Sequence, residues 1–115
     1  MNTETYKSNT THLTIMYRIE PGCLGPDGLE HVEAFCLVSQ KFFNQTDKLG
    51  IEWHIVPRYD KTLSEFQYSV ASKRLDSCQA EKVLSAFNLD LNTVLESFED
   101  KLPELIDQYI AAKKS

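Results

Sequence analysis

Leu13-Thr14-Ile15-Met16-Tyr17-Arg18-Ile19-Glu20-Pro21-Gly22-Cys23-Leu24-Gly25-Pro26-Asp27-Gly28 holds a strand and the turn that ends it. Leu13, Ile15, Tyr17 and Ile19 recur at every second position, the period that places one row of side chains on one face of a strand. Pro21 lacks an amide hydrogen for a sheet ladder, and Gly22 follows it, so the strand stops there. Pro21 to Gly28 contains three of the chain's four glycines and two of its four prolines. Their spacing by three matches neither the dinucleotide fingerprint nor a phosphate-binding P-loop, so the segment reads as a stiff strand-to-helix turn.

Beyond that turn the apolar period changes from two to 3.6. Leu29, Val32, Phe35, Cys36, Phe42 and Phe43 make one helical stripe, widened by Ala34, Leu37 and Val38. A stripe that broad predicts burial against more than one neighbour. The helix is expected to end near Asn44. At roughly eighteen residues it is about 27 Å long, enough to return the chain for a second strand parallel to the first. Ile51, Trp53 and Ile55 alternate with Glu52, His54 and Val56 as that second strand. Arg58 to Ser64 is a loop, and Phe66, Tyr68 and Val70 alternate as a third strand. The short link makes the last two strands antiparallel.

The remainder is helical. Asp76 with Gln79 forms a capping-box pattern ahead of Ala80, Val83, Leu84 and Phe87, and this helix stops near Asn88. Asp90 or Asn92 caps the last segment. There Leu91, Leu95, Phe98, Leu102, Leu105 and Tyr109 form a heptad-like seam. Pro103 interrupts it, which predicts a kink or a split into two helices. The element order defines an α+β protein. The expected architecture is a small three-stranded mixed sheet (β-α-β-β) packed against a long helix and a C-terminal helical pair. Residues 1–10 are polar and read as a flexible N-terminal arm, leaving 11–115 as a single α+β domain.

Composition narrows the function classes. The chain has 115 residues, 42% hydrophobic and 25% charged, with a net charge of −5. An acidic surface argues against unspecific nucleic-acid or anionic-membrane binding. No apolar run reaches the length of a bilayer crossing, and the first residues lack the apolar core of a signal peptide. The three cysteines, Cys23, Cys36 and Cys78, are odd in number and irregularly spaced, which fits a reducing, cytoplasmic setting. Cys36 lies within the apolar stripe, where a thiol acts as a small hydrophobe.

No catalytic motif emerges. There is no Cys-x-x-Cys, no His-Glu-x-x-His and no Gly-x-Ser-x-Gly elbow, so neither a metal nor a cofactor is implied. Trp53 to Arg58 carries one histidine where the strand of a histidine-triad hydrolase needs three. Cys23, with Asp27, Glu30 and Glu33 nearby, reads as an ordinary turn cysteine. Two readings remain. The first is a protein acting by binding, as an interaction module or a homodimeric accessory protein. It uses the acidic helical end and the seam from Leu91 to Tyr109 as interface. The second is a small-ligand binder or enzyme with its site on the polar sheet face, built from Arg18, Glu52, His54, Arg58 and Gln67. If Leu13, Tyr17, Trp53, Ile55, Phe66 and Tyr68 face the helices, those five point the other way.

Overall fold

A computed structural model of the chain describes residues 13–46 and 50–114, and the arm expected over residues 1–10 lies outside them. β1 (Leu13–Ile19) is a central strand, paired along both edges, with Leu13, Ile15, Tyr17 and Ile19 buried on one face. A short 3-10 helix (Pro21–Leu24) follows, and then α1 (Gly28–Thr46). The crossover through α1 delivers β2 (Ile51–Pro57) parallel to β1, with Ile15 opposite Trp53 and Tyr17 opposite Ile55. β3 (Phe66–Val70) pairs antiparallel on the other side of β1, with Tyr17 opposite Phe66. β2 and β3 therefore run in opposite directions without touching. The loop between them closes over the end of β1, where the Arg58 amide donates to Ile19 O at 2.7 Å and the Arg18 amide to Glu65 O at 2.8 Å.

A fourth strand, absent from the sequence reading, completes the sheet. β4 (Lys73–Leu75) pairs antiparallel with β3, giving the order β2-β1-β3-β4. Its turn is Ala71-Ser72, with φ of 50° and 70°. That is the left-handed pair of a tight hairpin, normally announced by Asn-Gly. With Ala-Ser in the turn and only three residues in the strand, the usual signal is missing.

α2 (Ser77–Ser85) and α3 (Leu91–Lys114) follow. Asp76 and Gln79 form the reciprocal capping box, and Asp90 caps α3 by accepting from the Thr93 amide at 3.0 Å. Asn88, at φ 61°, ends the α2 turn, and the Leu89 amide closes it onto Leu84 O at 2.9 Å. Phe87 falls beyond the helix and is exposed rather than packed on its face. α3 runs unbroken through Pro103, so the expected helical pair is α2 with one long helix, not a segment split at the proline. Proline removes the hydrogen bond to the Glu99 carbonyl, and both residues lie on the exposed side, where water can replace it. Phe98 and Leu102, buried on the other side, hold the helix across the defect.

One apolar core joins these parts. Leu13, Ile15, Tyr17 and Ile19 from β1 and Ile51, Trp53 and Ile55 from β2 meet Val32, Phe35, Cys36 and Phe43 of α1. Ala80, Leu84, Leu91, Phe98 and Leu102 close it from α2 and α3. The breadth of the α1 stripe does not mean burial on two sides. Leu29, Leu37 and Val38 are exposed, because the sheet offers α1 a single face. Gly28 fixes the start of that helix: a Cβ there would stand 1.8 Å from Pro21 O, so only glycine lets α1 begin against the 3-10 helix.

Candidate functional site

The five polar residues expected to form a sheet-face site do lie on or beside the open face, but they are engaged locally. Arg18 donates through Nη1 to Ser64 O and through Nη2 to Gln67 Oε1, at 2.6 and 2.7 Å. It is only 9% exposed, so its guanidinium is committed to holding the β2–β3 loop against the sheet. Arg58 does the same from the other end. It meets Glu20 Oε2 at 3.1 Å and donates to the carbonyls of Lys61 and Leu63. Asp60 tightens this loop by accepting from both the amide and the hydroxyl of Thr62, bonds that hold its carboxyl below its ordinary range. Glu52 and His54 form a separate pair at 3.3 Å, with both side chains well exposed. The structure thus brings Arg18 to Gln67 and Glu52 to His54 without converging the five on one point.

The six seam residues face inward. Leu91, Phe98 and Leu102 are buried, and Leu95, Leu105 and Tyr109 are half-buried against the same core. Phe98 is the hub. Its ring stacks on Trp53 at 4.6 Å with 8° between planes and touches Phe43 at 4.6 Å and Tyr17 at 5.0 Å. Burial in this neighbourhood, with the Glu65 charge adding to it, pushes the Tyr17 phenol well up from its ordinary range.

The aromatic cluster opens on one side into a groove between α1, β2 and the first half of α3. Its volume is about 640 Å³. Phe42, Phe43, Trp53 and Phe98 form most of its floor and wall, and Ile51, Leu89 and Val94 extend the apolar lining. Phe42 and Phe43 meet edge to face at 5.4 Å, which turns one ring into the core and the other toward the opening. The polar groups sit at the rim: the hydroxyls of Thr46, Thr93 and Ser97, and Lys101. Lys101 is the only charged residue lining the groove among the described residues. Its Nζ lies 5.4 Å from the Phe42 ring centre and 3.0 Å from Glu104 Oε1. The sequence turns Trp53 toward the helices, sets Phe42 in the helical stripe and Phe98 in the seam, but does not join them to one another or to Lys101. Phe98 and Lys101 lie more than forty residues beyond Phe42 and Trp53, and no local pattern connects them.

A second, smaller cavity of about 300 Å³ lies between the glycine-rich turn and the end of α3, with Asp27, His31, Tyr109 and Lys113 in its wall. The Tyr109 hydroxyl is buried there without a hydrogen-bond partner among the described residues. Its wall mixes both charge signs and selects no ligand class. Among the described residues, no three His, Cys, Asp or Glu side chains gather as a metal site, and no helix is long and apolar enough to cross a membrane. Comparison with protein families, with curated proteins and with solved structures finds no match to this chain.

Proposed function

We propose that the protein acts by binding, and that its ligand is a flat apolar molecule bearing a negatively charged group, held in the groove between α1, β2 and α3. The lining of that groove carries the reading: four aromatic rings on one side and a lone ammonium, Lys101, at the rim. Small-molecule sites commonly occupy about 300–1,000 Å³ and combine apolar walls with a few placed polar groups, and this groove fits that description. Rings offer a flat ligand offset stacking and edge contacts, and Lys101 selects an anionic end. The Lys101–Glu104 pair does not close the site. Exposed pairs of this kind are worth about 0–1 kcal/mol, so a ligand carboxylate or sulfonate competes for the ammonium.

Trp53 is the only tryptophan in the chain and lines the groove, so its fluorescence reports occupancy directly. Titration with 1-anilinonaphthalene-8-sulfonate should give a saturable change in Trp53 emission with energy transfer to the bound probe. Ser97→Phe, at an exposed rim position, should fill the groove and abolish that change without unfolding the protein. Lys101→Met should weaken the anionic probe about tenfold, the loss of one charge-assisted contact, and leave neutral N-phenyl-1-naphthylamine unaffected. Undiminished binding to Ser97→Phe, or equal losses for both probes in Lys101→Met, refutes the reading.

A further inference from the structure

α1 has two apolar sides, and the sheet uses one. Val32, Phe35, Cys36, Ser39 and Phe43 are buried toward β2 and α3. On the opposite side Leu29 and Leu37 are each 72% exposed and Val38 is 56% exposed, with Ala34 exposed beside them. Tyr59 enlarges the patch: it is 59% exposed and anchored to α1 by its hydroxyl, which donates to Glu33 Oε2 at 3.1 Å. Two opposite charges flank the centre of this face, and a third, the exposed Glu30, lies two turns before Leu37, where a reversed copy would set it level with the uncharged Asn44. Glu33 lies four residues before Leu37 and Lys41 four residues after it, so each is about 6 Å from Leu37 along the helix axis.

We infer that this face joins two copies of the chain, α1 packing antiparallel on α1 with Leu37 against Leu37. The symmetry of the charges selects the occupant and its direction. A two-fold axis at Leu37 reverses the helix, so Glu33 of each copy comes level with Lys41 of the other, twice in the same interface. A parallel arrangement sets Glu33 beside Glu33 and Lys41 beside Lys41, which opposes association. The same self-complementarity makes a second copy a better partner than a uniformly acidic or basic surface. Association through the β2 edge is closed off, because the Asn44 and Gln40 side chains already occupy the backbone groups of Trp53 and Ile55 there. The face lies on the outside of α1, away from the groove, so the inference stands apart from the ligand proposal.

Sedimentation equilibrium of the full chain over a range of concentrations tests it. The unaltered protein should show a monomer–dimer equilibrium, and Leu37→Asp should be monomeric with an unchanged circular dichroism spectrum, as expected at so exposed a position. Glu33→Lys alone and Lys41→Glu alone should each weaken association about tenfold or more, because two attractive contacts become repulsive. An equimolar mixture of these two variants should dimerise like the unaltered protein, since every contact between unlike copies is again of opposite charge. A monomer at all concentrations overturns the inference. So does a dimer that survives Leu37→Asp, or a mixture that associates no better than its components.

Discussion

Asn44→Ala isolates what one side-chain amide does for the edge of the sheet. β2 is covered by β1 on one side only, and its other edge carries outward-pointing backbone groups at Trp53 and Ile55. Asn44 meets both groups of Trp53: its Nδ2 donates to Trp53 O at 3.1 Å, and its Oδ1 accepts from the Trp53 amide at 2.8 Å. Gln40 Oε1 accepts from the Ile55 amide at 2.9 Å. A net hydrogen bond contributes about 0.5–1.5 kcal/mol, so Asn44→Ala should cost about 1–3 kcal/mol and Gln40→Ala about half as much. For a domain of this size that is a fall in Tm of roughly 4 °C per kcal/mol. Asn44→Asp separates the two bonds. Its carboxylate still accepts from the Trp53 amide but sets an oxygen against the Trp53 carbonyl, so it should recover no more than half of the loss. Urea denaturation followed by Trp53 fluorescence gives the stabilities, and amide hydrogen exchange gives the location. Asn44→Ala should speed exchange at Trp53 and Gln40→Ala at Ile55. An unchanged midpoint with a still-protected Trp53 amide would show that these bonds neither stabilise nor shield the edge, and the edge-capping argument would fall. Asn44→Ala combined with Gln40→Ala should associate with concentration even when Leu37→Asp is also present, because an uncovered edge pairs with other chains.

Three further outcomes follow from single positions. Gly28→Ala should be severely destabilising, beyond the 1–3 kcal/mol common for overpacking, because the new methyl meets the Pro21 backbone. Gly22→Ala, with nothing within 4 Å, should denature near the unaltered midpoint and serves as its control. Pro103→Ala should raise the melting temperature by restoring the bond to the Glu99 carbonyl, with a gain of up to about 3 kcal/mol; a lower melting temperature would mean the proline is needed for the path of α3. Burial, with Glu33 nearby, pushes the Cys36 thiol up to about 12 from near 9. Because the folded value is the higher one, the associated stability is full below the unfolded value and is lost as the pH climbs toward 12. Cys36→Ala should therefore flatten the alkaline decline in stability, and a thiol reagent at neutral pH should titrate Cys23 and Cys78 while Cys36 reacts only after unfolding.

Much of the fold was legible because its signals are local. The alternation in β1, β2 and β3, the Asp76–Gln79 box and the seam of α3 each depend on residues a few positions apart, and each is found where the period placed it. What escaped depends on groups that local patterns do not join. β4 has a left-handed turn built from Ala71 and Ser72, residues that advertise no such conformation. The central position of β1 is fixed by its ladders to β2 and β3 and by the loop between those strands, which Arg18 of β1 and Arg58 hold in place through the Ser64 and Leu63 carbonyls. Those same arginines looked like a ligand site, because a sequence shows a side chain's charge but not the backbone atom that takes its hydrogen bonds. Pro103 misled in the opposite sense: the penalty is real, but the buried residues flanking it outweigh it.

The breadth of the α1 stripe is the one sequence signal whose meaning changed most. Nine apolar positions on a single helix suggested two layers of protein around it, whereas the fold supplies one sheet and leaves Leu29, Leu37 and Val38 uncovered. Exposed, those three residues contribute helix propensity but no burial to the monomer's core. The inner side of α1 contributes Phe42 and Phe43 to the groove, and the outer side carries a charge pattern that complements its own reversal. The two proposals are separable by mutation because they concern different sides of the helix. Leu37→Asp should abolish pairing and leave the Trp53 probe signal intact, and Ser97→Phe should do the reverse. Loss of both properties in either variant would mean that the groove and the outer face form one site, with the second copy completing the ligand's enclosure.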